Sequence, residues 1–193
     1  MHWTLPVAAL GTVWFLLLLH LAILLRDTRY RYFGQVLCEI ERLSKKNVLA
    51  IRLYKSAFVV LAVTQVIFYV FSPLEAAVSS GVPEIRGTMV AAAATFVGMV
   101  CFHFERHKWL HGFFLVSSVI CRVTGRVYLV RAVASPALTG VFVLSSFLVA
   151  TMVLSPFLVR PYKFRGKTVF STAQKLFYWV EVVLEAMVWD LLI

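Results

Sequence analysis

Arg122 and Arg126 stand four residues apart in one strongly apolar stretch, and Glu181, Glu185 and Asp190 recur at near-helical spacing in another. Four residues make about one helical turn, so the two arginines share a helix face, as do the two glutamates. An ionised side chain near a bilayer midplane costs roughly 2.5–3.5 kcal/mol on insertion scales, so such groups turn away from lipid and pair. Counted from the basic loops before them, Arg122 and Glu185 fall at similar depths, and Arg126 and Asp190 match farther along. The expected ion pairs are therefore Arg122–Glu185 and Arg126–Asp190, with Glu181 a turn short of them. A proton or ion path would need polar groups leading to each surface, and only Gln65, Ser117, Ser118 and Thr124 offer them. A structural lock, or a contact with another subunit, is the expectation.

Histidines are the second candidate group. His103, His107 and His111 follow an i, i+4, i+8 pattern that would put three imidazoles on one face of a continuous helix, with His20 at a nearby depth. Imidazoles at that spacing bind metals, and haem takes axial ligands from facing helices. Arg106 and Lys108 sit among them and oppose a cation, and a turn at 104–108 would break the face. The expectation is a polar cluster at the membrane interface, with no metal and no cofactor beyond bound lipid.

Signatures of catalysis are missing. No HExxH, GxSxG or Walker-type glycine loop occurs, nor a carboxylate cluster able to hold Mg²⁺ for lipid phosphotransfer. Cys38, Cys101 and Cys121 form no CxxC pair, and Asn47 is followed by Val48 and Leu49, so no glycosylation sequon exists. The chain is expected not to be an enzyme.

The elements that must position these residues follow from composition. Hydrophobic residues make up 61% of 193 positions and charged residues 15%, whereas a soluble domain is about 45–50% apolar. That fits one membrane-embedded helical domain over residues 1–193, an all-α polytopic integral membrane protein. A span needs about 20 apolar residues, and six stretches qualify in whole or in part: 3–25, 56–71, 87–104, 109–130, 132–159 and 169–193. The first is too long for a signal-peptide core and lacks a cationic leader, so it is read as a retained helix. Only Glu105 to Lys108 separates the third from the fourth, so five spans, with one helix through 87–131, is the alternative. With six spans and both ends translocated, the inside loops 26–55, 104–108 and 160–175 hold 15 of the 19 Lys and Arg. Five spans lower that to 13, so the positive-inside rule favours six.

The formal charge of +10 belongs to loops beside apolar runs, the pattern of juxtamembrane anchors rather than of a nucleic-acid surface. Arg26, Arg29, Arg31, Arg42, Lys45 and Lys46 crowd the 26–55 loop, and anionic lipid or an acidic neighbouring subunit is the expected counter-charge. Val36, Leu37, Ile40 and Leu43 recur there at helical spacing. They predict a short amphipathic helix on the membrane surface, the alternative being a solvated connector whose apolar side docks on the bundle. Gly87, Ala91 to Ala94 and Gly98 give the third span a small-residue face suited to close helix packing.

Phe104-Glu105 with His111-Gly112-Phe113-Phe114, and a last helix running from Ser171 to Trp189-Asp190, is similar to the six-helix DRAM-like proteins, which include a factor in GPI-anchor lipid remodelling. The likeness covers the C-terminal half, and the polar first luminal segment of that family has no counterpart here. It implies a stand-alone lipid-handling protein.

Composition and charge placement point elsewhere first. Almost no extramembrane mass, intramembrane charges in need of partners and a basic inside face fit a non-catalytic accessory subunit of a larger membrane complex. An energy-converting assembly such as a respiratory chain or ATP synthase, in the mitochondrial inner membrane, suits that composition, and an endomembrane is the alternative. Lipid handling, small-solute transport and, third, haem or metal binding are the other function classes carried forward.

Overall fold

The computed structural model describes residues 4–26, 29–32, 35, 37–40, 44, 46–78, 80–102, 106–158 and 167–190. Its regular structure is helical: α1 Thr4–Leu25, α2 Val48–Phe71, the single turn α3 Leu74–Ala77, α4 Val82–Cys101, α5 Lys108–Val133, α6 Pro136–Leu158 and α7 Lys167–Asp190. This is an all-α membrane protein. Among the described residues, α2, α4, α5 and most of α6 are long and apolar enough to cross a membrane, and α1 adds the apolar stretch Ala9–Leu25. The last helix, α7, is as long as they are, 24 residues or about 36 Å, but it carries charge along its length.

Local chemistry accounts for the helix ends. Asn47 caps α2 by accepting from the Ala50 N–H at 3.1 Å, satisfying a donor that a first turn leaves free. Pro73 follows the end of α2, and Pro136 opens α6, where its missing N–H costs nothing. At Phe102 the chain leaves helical geometry, its backbone extended, and α5 starts after His107. The alternative of one helix through 87–131 is therefore not what the chain adopts.

Three closely packed hairpins result, α1 with α2, α4 with α5 and α6 with α7. The first two join through α2 and α4, whereas α6 touches α5 only sparsely. Small residues set the close approach of α4 and α5. A Cβ on Gly125 would lie 2.8 Å from the Met89 Sδ and 2.7 Å from the Thr88 Oγ1, closer than atoms pack. Gly87, in contrast, faces open space and takes no part in that contact.

At the end bearing the basic loops, Phe15, Tyr54, Phe58, Phe96 and Tyr178 form an aromatic cluster that joins α1, α2, α4 and α7. A second core at the opposite end gathers Phe68, Tyr69, Ile85, Met89, Leu129 and Leu184. The 26–47 connection docks on the bundle: Leu37 and Ile40 are buried in the aromatic-end core. Val36 and Leu43, the other two residues of the expected amphipathic helix, lie outside the described residues.

Polar contacts hold that connection against α7. Leu37 N–H donates to the Gln174 Oε1 at 3.0 Å, Ser171 Oγ donates to the Gln35 carbonyl at 2.6 Å, and Lys167 Nζ reaches the Glu39 Oε1 at 2.6 Å. Lys175, 2% exposed, donates to the same Gln35 carbonyl and lies 5.2 and 5.6 Å from the Tyr30 and Tyr32 ring centroids. A cation desolvated between aromatic faces is held by the ring quadrupoles. Burial, aided by neighbouring Tyr32, pushes the Tyr30 phenol up, so it stays a protonated donor to Gln35 at 2.8 Å.

Candidate intramembrane polar site

Arg122 and Arg126 project from α5 toward α7, and all four charged groups that meet there are buried. Arg122 NH1 lies 3.3 Å from the Glu181 Oε2 and 3.8 Å from the Glu185 Oε1. Arg126 NH2 bonds to the Glu185 Oε1 and lies 3.9 Å from the Glu181 Oε2. Two cations and two carboxylates share one site, so its formal charge is zero. Neutrality is what a low-dielectric interior demands of buried charge.

Further hydrogen bonds to the cluster come from two other helices, α2 and α6. Gln65 of α2 accepts from Arg122 at 3.0 Å and donates to the Glu185 Oε1 at 3.4 Å, so both ends of its amide are assigned by their partners. Tyr69 donates its hydroxyl to Glu185 at 3.3 Å, and Ser145 of α6 donates to the Glu181 Oε1 at 2.8 Å. Phe96 of α4 places its ring 5.9 Å from the Arg122 guanidinium. Arg126, 2% exposed, keeps its Nε and NH1 without partners among the described residues.

The expected Arg122–Glu185 pair is present at 3.8 Å, but Arg122 lies nearer Glu181, and the partner of Arg126 is Glu185 rather than Asp190. Arg122 and Glu181 lie fourteen residues past the first residues of α5 and α7, and Arg126 and Glu185 lie eighteen past them. Equal offsets put Arg122 opposite Glu181 and Arg126 opposite Glu185. Counting from the loops placed Glu185 opposite Arg122 because the start of the last helix, at Lys167, lies within the segment taken as loop. Asp190 closes α7 exposed, and no ion pair joins it to Arg126 among the described residues.

Beside this cluster is a cavity of about 330 Å³, walled by α1, α2, α4, α5, α6 and α7. Its lining is mostly apolar, with Gln65, Arg122, Glu181 and Glu185 on one wall. Toward the basic-loop end a second cavity of about 200 Å³ shares Leu115, Phe170, Gln174 and Tyr178 with the first. The larger cavity reaches the lipid-facing surface where α5 and α6 part. Val116 and Ile120 of α5 and Val153 of α6 line it and are each more than half exposed.

The polar groups that α7 brings to the cavities share one helix face. Gln174, Tyr178, Glu181 and Glu185 are spaced by four, three and four residues, one stripe of α7. Leu176, Trp179 and Val183 of the same helix are exposed. This inverts the soluble pattern: apolar side chains face outward and polar ones inward. Gln174, Tyr178, Tyr69 and Ser145 escaped the sequence reading. The first two were legible as an extension of the carboxylate ladder by two more turns, whereas Tyr69 and Ser145 carry no such signal.

The described histidines, His20, His107 and His111, lie in different surroundings. His111 is buried, its Nδ1 3.1 Å from the Phe102 carbonyl, while His107 is exposed before α5 and His20 is exposed with its Nδ1 2.7 Å from the Leu16 carbonyl. His103 lies outside the described residues, and among those described no three metal-binding side chains converge. The extended backbone at Phe102 ends the continuous helix that the spacing required.

Of the basic-loop cations, Arg29, Arg31 and Lys46 are exposed, and Arg26 lies half-buried 5.9 Å from the Tyr30 ring centroid. Arg42 and Lys45 lie outside the described residues. No protein-family model, curated protein or solved structure matches this chain.

Proposed function

We propose that this chain is a self-contained membrane protein that accommodates a lipid or other amphiphilic molecule in its interior. The observation that carries this reading is the 330 Å³ cavity, apolar over most of its wall and open between α5 and α6 at Val116, Ile120 and Val153. Its volume lies within the range of small-molecule sites, about 300–1,000 Å³, and a mostly apolar wall with a few converging polar groups is their usual composition. The lining gives an apolar chain a dry path from the bilayer. The neighbouring charges have partners in the same chain, so they do not call for a second subunit.

The test is direct. Purified in mild detergent and examined by native mass spectrometry, the protein should retain a lipid-sized adduct. Val119→Trp and Val149→Trp, which place an indole on the cavity wall, should release it while the helical circular dichroism is kept. Wild-type protein that carries no adduct, and takes none up from mixed-lipid vesicles, would overturn the reading.

The accessory-subunit reading, with its inner-membrane placement, keeps one specific observation in its favour. Trp109, Phe113, Val116 and Ile120 form an outward apolar stripe on α5, Trp109 being 92% exposed. Such a stripe suits a neighbouring helix as well as lipid. Blue-native electrophoresis separates the readings: co-migration with a large assembly favours the subunit, migration as a monomer the self-contained protein.

A further inference from the structure

We infer that the cavity selects an uncharged lipid whose polar group is a carbonyl acceptor, bound at the waist between the two cavities by the Gln174 amide and the Tyr178 hydroxyl. The inference rests on the lipid-site reading above and adds the chemistry of the ligand and its orientation.

Gln174 is only 9% exposed and lines both cavities. Its Oε1 accepts from the Leu37 backbone N–H, which can only donate, so the amide orientation is assigned and the NH₂ group points elsewhere. That NH₂ makes no hydrogen bond with a described residue. Tyr178, one turn later on α7, also lines both cavities, and its hydroxyl makes no hydrogen bond among the described residues. Buried Gln174 and half-buried Tyr178, i and i+4 on one helix face and each lining both cavities, bring two donors to one place that an acceptor can occupy.

Charge determines which acceptor fits. Arg122 and Arg126 are balanced by Glu181 and Glu185, so the wall has no spare positive charge for a phosphate or carboxylate, and two carboxylates stand ready to repel one. A neutral carbonyl oxygen takes the amide and phenol donors without bringing charge into the bilayer. Its chain then extends into the larger cavity toward the Val116–Val153 opening, through which it enters from the membrane.

The test uses four diazirine probes of equal chain length: a fatty-acid methyl ester, a fatty alcohol, a fatty-acid carboxylate and a plain hydrocarbon. They are photolysed with the purified full-length protein, and labelled peptides are read by mass spectrometry. The ester should label the cavity walls on α5 and α6 about fivefold more than the hydrocarbon, the scale of one neutral hydrogen bond, and more than the carboxylate, whose charge the site repels. Tyr178→Phe keeps the ring contacts, and Gln174→Glu keeps an acceptor for Leu37 while removing the NH₂. Each should lower ester labelling several-fold and leave hydrocarbon labelling unchanged. Equal labelling by ester and hydrocarbon with no effect of either variant overturns the head-group assignment and leaves the lipid site standing. Preference for the carboxylate or the alcohol overturns it likewise. Cavity labelling by every probe no higher than at the outward-facing Val143 and Phe147 overturns both.

Discussion

Two of the places where opposite charges meet among the described residues differ so much in their surroundings that they are different objects. Between α5 and α7, Arg122, Arg126, Glu181 and Glu185 are buried and wrapped by Gln65, Tyr69 and Ser145. At the far end of the bundle, half-buried Arg86 binds an exposed Glu75 at 2.6 Å, and it also donates to the Tyr69 and Ser72 carbonyls that end α2. Bond lengths alone rank the second pair with the first. Desolvation separates them: a buried charge that loses its partner has nothing to replace it, whereas an exposed one recovers water.

The sharpest way to break that contrast is to remove one buried charge. Arg126→Leu or Glu185→Leu should each cost about 3–5 kcal/mol, because the survivor is left unpaired in a low dielectric, and the double change should restore much of the loss. Thermal unfolding in detergent and accumulation in the membrane check this. If each single change were no worse than the double, the two groups would not act as a pair.

A smaller effect is expected from the shell. Ser145→Ala leaves the Glu181 Oε1 without its donor from α6, a change of about 1–3 kcal/mol for a buried charged acceptor. Since α6 packs on α7 but barely on α5, that bond is part of what ties the third hairpin to the cluster. The unfolding midpoint of the variant gives the cost, and hydrogen exchange on α6 shows whether the loss is local.

Lys167 and Glu39 are an intermediate case, the lysine side chain 34% exposed and the glutamate nearly buried. Lys167→Gln should destabilise by under about 1 kcal/mol. The difference from wild type should shrink in high salt, which screens partly exposed charges.

Glu75→Gln should have the smallest effect at neutral pH, and its pH dependence is the informative part. The carboxyl sits below its ordinary value of 4.5, held there first by its own backbone N–H and then by Arg86. A depressed carboxyl stabilises the fold above its unfolded pKa and loses that contribution as the pH falls through the folded one. The gap in unfolding midpoint between wild type and Glu75→Gln should therefore be present at pH 7 and close in acid, below about pH 4. A gap that widened in acid would reverse the assignment.

Much of this architecture was legible before any coordinates. Apolar runs of bilayer length gave the long helices, Pro73 and Pro136 marked two of their boundaries, and buried Arg and Glu in apolar stretches announced that α5 and α7 meet. Less was legible of the 26–47 connection, where the same apolar spacing fits a helix lying on lipid or one docked on protein. Its docking on the bundle depends on Ser171, Gln174 and Lys175 of α7, over a hundred residues away in the chain.

Sequence by itself determined that Arg122 and Arg126 lie in a helix apolar enough to cross a membrane and must be neutralised there, because hydropathy and the cost of a bare ion are properties of residue type and order. Tertiary structure alone decided which charge faces which. Pairing depends on where α5 and α7 begin, and at Lys108 and Lys167 a difference of a few residues moves a partner by a full turn, about 5.4 Å. It alone also decided that α6 stands off α5 and leaves a cavity, because the space between helices depends on how far each side chain lets its neighbour approach, and no single helix encodes that distance.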